Sequence, residues 1–374
     1  MNFGIKDFFT DVTQFLKVKR ALGVDIGTVA LKAVELERLA DGVALTNYGI
    51  LEKKDYLDRP NEAVQTTSLR LDVKRTSALL KTLLREMKVQ TDRAVASVPL
   101  FRVFIVPIEL PAMPLKETQN AVLFQARQYI PVALNTTTLD WVKMEDFTNA
   151  QGQPFQHILL TAVPNDLIET YKAIFRGAGV HLAAVEIESY ALVRTLYEGE
   201  NAPALLIDLG AESTQFAVIE GRHVKQVGQS DYGGASLTQA LARSLEISPW
   251  RAEELKKRRG LEGFGGETEL STSLAPFLDV IIQEASRVRG IFEQATGRTI
   301  EKVLLTGGGA NLPGIREHVE EQMGIMVGGL RPFSKIQYPQ GMEPLMKELS
   351  NTFALSTGLA MKLFYGSNGS SASS

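Results

Sequence analysis

Two stretches of this chain carry the same pattern, 183 residues apart from Asp25 to Asp208. The first, ALGVDIGTVALKAVEL (21–36), runs apolar to Asp25, turns at Gly27-Thr28 and resumes with apolar alternation. The second, ALLIDLGAESTQFAVI (204–219), places Asp208, Gly210 and Thr214 in the same order. Each reads as a buried strand, a tight turn and a second strand. One aspartate at a strand end is an ordinary turn cap. Two in matching hairpins point to a duplicated chain with two similar α/β halves. The 374 residues suffice for two such halves and an insertion.

Bulk properties narrow the function. There is no cysteine, which excludes disulfides, thiolate metal sites and cysteine nucleophiles and fits a reducing compartment. A formal net charge of −3 gives no basic excess, so no nucleic-acid partner is expected. No apolar run reaches the roughly 18 residues of a membrane span. Lys6, Asp7 and Asp11 interrupt any signal-peptide core, so a cytoplasmic location is expected.

Along the chain, residues 2–20 place Ile5, Phe8, Phe9, Val12, Phe15 and Leu16 at helical spacing, with Lys17, Lys19 and Arg20 at the end. This segment is either an arm packed on the body or an amphipathic helix for a membrane or partner. Three strands are expected within 21–50, a polar loop at 55–75, a helix at 76–89 and a strand at 93–98. Pro99 opens a different texture. FRVFIVPIEL, then LKETQNAVLFQARQYI, then strands near 138–145 and 156–163 and a helix at 165–177 read as a compact α+β insertion over about 100–180. Helices follow at about 187–198, 235–245, 248–260 and 273–296, with a Gly/Ser/Thr-rich connection at 261–272. Gly233 and Gly234 are read as a helix start, with a place in the cleft wall as the alternative. KVLLT (302–306) enters Gly307-Gly308-Gly309, and GSNGSSASS ends the chain as a flexible tail.

Two Asp-Gly hairpins facing each other offer backbone N–H groups to phosphates, and glycine permits close approach. Asp25 and Asp208 suit the water shell of a magnesium ion, and Lys32 can reach a β- or γ-phosphate. LLTGGGANLPG (304–314) delivers three glycines to a helix N-terminus, which suits an α-phosphate beside a flat base. The motifs GxxxxGK[ST], HExxH and GxSxG are absent, and His157, His181, His223 and His318 show no metal-ligand spacing.

This order of motifs resembles the actin-like ATPase superfamily. Within it the chain is similar to the PilM family, FtsA-like proteins of type IV pilus assembly. The likeness rests on DIGTVALKAVEL (25–36), ELPAMPLKETQNAVLFQARQYIP (109–131), LDWV (139–142), LLTAVPNDLIETYKAIFRGAG (159–179), VEIESYAL (185–192), AEELKKRRG (252–260) and TFALSTGLAMK (352–362). It implies an α/β, actin-like fold, with duplicated RNase H-like halves around a nucleotide cleft and an inserted α+β subdomain. The implied layout is an arm at 1–20, a first half at 21–99 completed by 181–200 and 351–366, an insertion at 100–180, a second half at 201–350 and a tail at 367–374. The implied cofactors are ATP and magnesium. Gly27, Thr28, Lys32, Gly210 and Thr214 would hold phosphates, Gly307, Gly308 and Gly309 the adenosine, and Glu253 and Lys256 the ribose or base. Asp25 and Asp208 would organise magnesium through water, and Glu188 would position the attacking water. TVALK in the first turn and GAEST in the second, with Glu212 close by, are leaner than usual, so at most weak ATP hydrolysis is expected.

The implied role is a scaffold at the inner face of the cytoplasmic membrane. It would bind the short cytoplasmic N-terminal peptide of a PilN-like inner-membrane protein, in a groove between the first half and the insertion, with nucleotide controlling closure, and other pilus platform or motor proteins are further implied partners. The alternatives are an FtsA-like filament tethered to the membrane, with residues 2–20 as the contact, and a small-molecule kinase of the same superfamily.

Overall fold

The computed structural model describes residues 18–53, 71–149, 151–196, 202–261 and 268–365. Residues 2–17 of the expected arm, most of the 55–75 loop, residues 262–267 of the 261–272 connection and the tail lie outside that range.

The chain opens with β1 (Arg20–Ile26), β2 (Ala30–Leu39) and β3 (Gly42–Glu52), then α1 (Val73–Met87) and β4 (Arg93–Val98). Helix α1 starts three residues before its expected position because Asp72 caps it, accepting from the Arg75 amide at 3.0 Å. The insertion follows as β5 (Phe104–Pro111), α2 (Leu115–Tyr129), β6 (Thr137–Thr148) and β7 (Pro154–Pro164). The chain returns through α3 (Asn165–Ala178), β8 (His181–Ile187) and α4 (Glu188–Leu196). The second sheet is built from β9 (Ala204–Leu209), β10 (Thr214–Glu220), β11 (His223–Ser230), β12 (Lys302–Thr306) and β13 (Met326–Gly328). Its helices are α5 (Gly234–Ser244), α6 (Pro249–Arg259), α7 (Thr268–Thr296) and α8 (Ile315–Met323), and α9 (Glu343–Tyr365) ends the described chain.

The duplication is visible in the sheets. One has the order β3-β2-β1-β4-β8, the other β11-β10-β9-β12-β13. In both, the hairpin partner is antiparallel and the two strands beyond the centre are parallel. Parallel strands need crossover helices, which cover both faces of the sheet. That is why Ala94–Val98 and Val303–Thr306 are buried without polar alternation. On the first sheet, Leu80, Leu84, Ile174 and Phe175 of α1 and α3 cover one face. Ala191 and Leu192 of α4 cover the other with Phe353, Leu359 and Leu363 of α9.

Helix α9 thus leaves the second sheet and ends on the first. It lies very close there. A Cβ on Gly23 of β1 would strike the Ser356 carbonyl oxygen, and one on Gly358 would strike that of Ala191. At the same place Glu186 of β8 is fully enclosed with two cations. Arg194 reaches it at 2.7 and 3.0 Å and Lys362 at 2.9 Å. Arg194 also donates to the Gly358 carbonyl at 2.6 Å.

The insertion is a separate antiparallel sheet, β5-β7-β6, with Val122 and Ala126 of α2 packed on Ile108, Ile158 and Leu160. Its edge strand β6 also touches the second half, where Glu145 pairs with Lys225 of β11 at 2.7 Å.

Two glycine substitutions should separate packing from helix propensity. Propensity alone favours Gly→Ala by about 1 kcal/mol. Gly358→Ala should nevertheless lose roughly 1–3 kcal/mol, because backbone blocks the new methyl. Gly290→Ala in α7, where a Cβ meets nothing within 4 Å, should gain roughly 0.5–1 kcal/mol. Urea unfolding of both variants measures the two signs.

Candidate functional site

The two hairpins carry their functional side chains in the same register. Asp25 stands opposite Lys32 in the β1–β2 pair. Asp208 stands opposite Gln215 in the β9–β10 pair. Position seven after the aspartate is therefore equivalent in both halves, and it holds a cation in one and an amide in the other. Lys32 Nζ lies 3.4 Å from Asp25 Oδ2. Gln215 Nε2 donates to Glu188, the first residue of α4. Both hairpins open on one cleft of about 470 Å³, lined by Asp25, Lys32, Glu188, Asp208 and Gln215 among others.

Glu188 and Asp208 both feel the charges of Asp25 and Lys32 across this cleft. Burial, reinforced by Asp208 and Asp25, pushes the Glu188 carboxyl well above the usual carboxylate range, against Lys32 and the Gln215 amide. Burial also pushes Asp208 up to about 6, with Lys32 opposing and Asp25 adding. The Tyr171 hydroxyl, on the same wall, is held above its ordinary value by burial, Glu188 and Asp25, with Arg102 pulling the other way. Among the described residues no group of three or more His, Asp or Glu is placed to ligate a metal directly. A cation here would be held through its water shell.

The turns are tight by necessity. A Cβ on Gly27 would lie 3.0 Å from the Ala30 carbonyl oxygen, and one on Gly210 2.6 Å from that of Ser213. Thr28 lines the cleft beside Gly27. The second turn is also sewn to the start of α5. The Gly234 amide donates to Gly210 at 2.9 Å and the Ala235 amide to Ala211 at 2.7 Å. Gly233 permits this approach, since a Cβ would sit 2.7 Å from the Ala211 oxygen. Gly233 is therefore part of a helix start, whereas Gly234 lines the cleft.

The three glycines after β12 have different tasks. Gly307 has φ of 84°, and a Cβ there would collide with Asp208. A Cβ on Gly309 would lie 2.8 Å from Leu209 Cβ. Gly308 faces open space within the cleft wall. Just before them, the Thr306 hydroxyl is buried without a partner, opposite Asp208 in the β12–β9 register.

Glu253 and Lys256 reach the cleft as a finished pair, 2.7 Å apart. Lys256 also donates to the Gly234 carbonyl and the Thr238 hydroxyl, both at 2.7 Å. Burial alone would raise the Glu253 carboxyl; Lys256 and Thr238 outweigh it and hold it low. Burial lowers the Lys256 ammonium against the pull of Glu253.

Of the residues expected at the site, all but one line this cleft. The exception is Thr214. It is fully buried, and its hydroxyl donates to the Tyr232 carbonyl at 2.8 Å. It begins β10 and points into the protein, while Ser213 before it lines the cleft. Gln215, Thr306, Tyr171 and Arg102 were not anticipated. The signal for Gln215 was present, since it follows Asp208 by the spacing at which Lys32 follows Asp25. The others become neighbours of the cleft only through the tertiary fold.

The family model of type IV pilus assembly protein PilM matches residues 23–364. The chain belongs to this PilM family. Among solved structures, a PilM–PilN type IV pilus biogenesis complex superposes with a TM-score of 0.79 at 24% identity, covering 93% of this chain and 99% of that one. The ethanolamine utilization protein EutJ from Carboxydothermus hydrogenoformans superposes with a TM-score of 0.52 at 19% identity, covering 91% and 89%. Cell division protein FtsA of Streptococcus pneumoniae is 29% identical over 191 residues, 45% of this chain and 41% of that protein, so the match spans about two fifths of FtsA. The fold of this PilM-family chain is actin-like, and its doubled sheet order agrees with that. No helix among the described residues is long and apolar enough to cross a membrane.

Because burial and Asp25 raise Asp208, the folded state binds more protons than the unfolded chain as pH climbs from about 4 to 6. Stability is lost across that window, and Glu188 adds to the loss at higher pH. Glu188→Gln should therefore raise the melting temperature at pH 8 and change it less at pH 5. Thermal unfolding at both pH values, read as the difference from wild type, tests this.

Proposed function

We propose that the cleft binds magnesium-ATP and that the bound nucleotide holds the two halves closed. The observation that carries the reading is the matched pair of Asp-Gly hairpins, in one register, facing each other across the cleft. The residues fit the ligand. Three carboxylates against one lysine leave a local excess of negative charge that a divalent cation relieves. Thr306 keeps a buried hydroxyl without a partner, and Gly308 leaves space that a side chain would fill. Asp25 and Asp208 would hold the cation's water shell. Gly27, Thr28, Lys32 and Gly210 would hold the phosphates, and Gly307, Gly308 and Gly309 would face the nucleoside. Lys256 and Glu253 would shape the ribose or base wall as a preformed pair. Magnesium supplies charge neutralisation of the phosphates when bound.

Hydrolysis is proposed to be weak at most. Glu188 would be the acid that orients a water, but burial favours its protonated form, which cannot accept a proton, and the Gln215 amide already bonds its carboxylate.

The same reading makes the chain a scaffold of type IV pilus assembly at the inner face of the cytoplasmic membrane. Its proposed partner is the short cytoplasmic peptide of a PilN-like inner-membrane protein, and the proposed groove lies between the first half and the insertion. Two things support this: family membership, and the likeness of the fold to a PilM–PilN type IV pilus biogenesis complex. The insertion also presents Leu115, Phe124 and Tyr129 of α2 to solvent, apolar surface of the kind that partners cover. Nucleotide can favour the closed form only through its differential affinity for that form.

Calorimetry with ATP and magnesium tests the site. Wild type should bind, and Asp25→Ala should weaken binding by about tenfold or more, the scale of a lost charge-assisted contact. A PilN-type cytoplasmic peptide should bind tighter when ATP is present. A folded wild type that takes up no nucleotide would remove the reading.

A further inference from the structure

The duplication makes one more pair of positions equivalent. In the second half, the turn after β12 is Gly307-Gly308-Gly309, and the chain then passes through α8 to β13. In the first half, β4 stands where β12 stands, and α3 and β8 stand where α8 and β13 stand. The turn equivalent to the three glycines is therefore Pro99-Leu100-Phe101-Arg102, from which the insertion departs. Pro99, Phe101 and Arg102 line the same cleft as Gly307 to Gly309. One turn offers bare backbone; its twin offers a guanidinium.

Arg102 is placed to serve two partners. It acts electrostatically on Tyr171, which also feels Asp25 and Glu188, so it lies at the carboxylate end of the cleft. Its ion-pair partner is Asp166, 3.7 Å away, whose side chain is 76% exposed. A pair this long and this wet contributes little and is readily exchanged for a better one. A terminal phosphate offers a bidentate, charge-assisted contact with a planar guanidinium.

The position of Asp166 gives the exchange a consequence. The chain enters the insertion at Arg102, just before β5. It leaves at Pro164, where β7 ends and α3 begins with Asn165 and Asp166. The Arg102–Asp166 pair therefore ties together the two crossings that join the inserted sheet to the first half. Drawing Arg102 into the cleft removes that link and leaves the crossings joined by the β5–β7 ladder alone, where Phe104 pairs with Ala162.

Resting on the nucleotide reading above, we infer that Arg102 distinguishes ATP from ADP by exchanging Asp166 for the terminal phosphate, and so reports the triphosphate to the stem of the inserted subdomain. Lys32 holds phosphate in either nucleotide; Arg102 makes the difference between them.

Two measurements on the full chain test this. Calorimetry with ATP and with ADP, each with magnesium, gives the ATP-to-ADP affinity ratio. Arg102→Ala should lower that ratio about tenfold or more while ADP affinity stays within about twofold, and Arg102→Lys should restore part of it. Asp166→Asn frees Arg102 and should leave the ratio unchanged or raise it. Hydrogen exchange gives the second readout. Amides of 100–104 and 165–167 should exchange differently with ATP and with ADP in wild type, and identically in Arg102→Ala. The proposal is overturned if Arg102→Ala keeps the ratio, or if Asp166→Asn lowers it as much as Arg102→Ala does. The first result would leave nucleotide binding intact without this role for Arg102; the second would make the pair merely structural. A folded wild type that binds neither nucleotide would sink the nucleotide reading itself, and this inference with it.

Discussion

Glu186 sits out of reach of water and is held by two cations from different parts of the chain. Burial would drive its carboxyl to take up a proton; Arg194 and Lys362 outweigh burial and keep it ionised. Removing Glu186 would strand two buried cations, a loss on the order of 3–5 kcal/mol, whereas removing either cation leaves the other paired with the carboxylate. The knot also has a geometric role. Arg194 bonds the Gly358 carbonyl, and Gly358 is where α9 lies against Ala191 of α4 with no room for a methyl group. Charge and close packing thus fasten the last helix to the first sheet at one spot. That helix helps hold the two sheets around one cleft, since the core it completes also contains Leu206, Ala217 and Leu304 of the second sheet.

Given that closure, the site follows from repetition. Asp25 and Asp208 end equivalent strands, so bringing the sheets face to face brings their carboxylates together, with Glu188 entering from the start of α4. The result is charge frustration: three acids, one lysine, and an amide where symmetry would put a second cation. Proteins rarely keep such a group without a use, because each raised proton affinity is stability given up at neutral pH. The frustration is local. A few residues away, Glu253, Lys256 and Thr238 satisfy one another completely and form rigid wall.

Much of this was legible in the sequence because the informative features were local. A strand, a turn glycine and an aspartate at fixed spacing can be read in either half without knowing where the halves meet. The insertion was legible from its change of texture at Pro99, and α6 from Ser248, Pro249 and Gly260. Boundaries moved where a capping side chain acted from outside the apolar pattern, as Asp72 does for α1. Thr214 was misplaced because strand alternation sends it inward while its neighbours Ser213 and Gln215 face the cleft. Arg102 and Tyr171 carry no local signal: one reaches the cleft from the turn after β4 and the other from α3, and only the tertiary fold brings them there. Strand β8 was missed, since HLAAVEI becomes a strand by pairing with β4 and has no hairpin of its own.

The near-equivalence of the halves raises a question of direction. A container with true twofold symmetry would accept an elongated ligand either way round. Here the equivalent positions have diverged in a consistent sense. The first half contributes Lys32 and Arg102; the second contributes Gln215 and three glycines at the matching places. The two walls of the cleft therefore differ: the first-half wall offers Lys32 and Arg102, and the second-half wall offers Gln215 and bare glycine backbone beside the Glu253–Lys256 pair. A molecule with a charged end and a flat end fits it in a single orientation. Polarity of this kind needs no dedicated selector, since it arises when two copies of one hairpin-and-turn unit stop being identical.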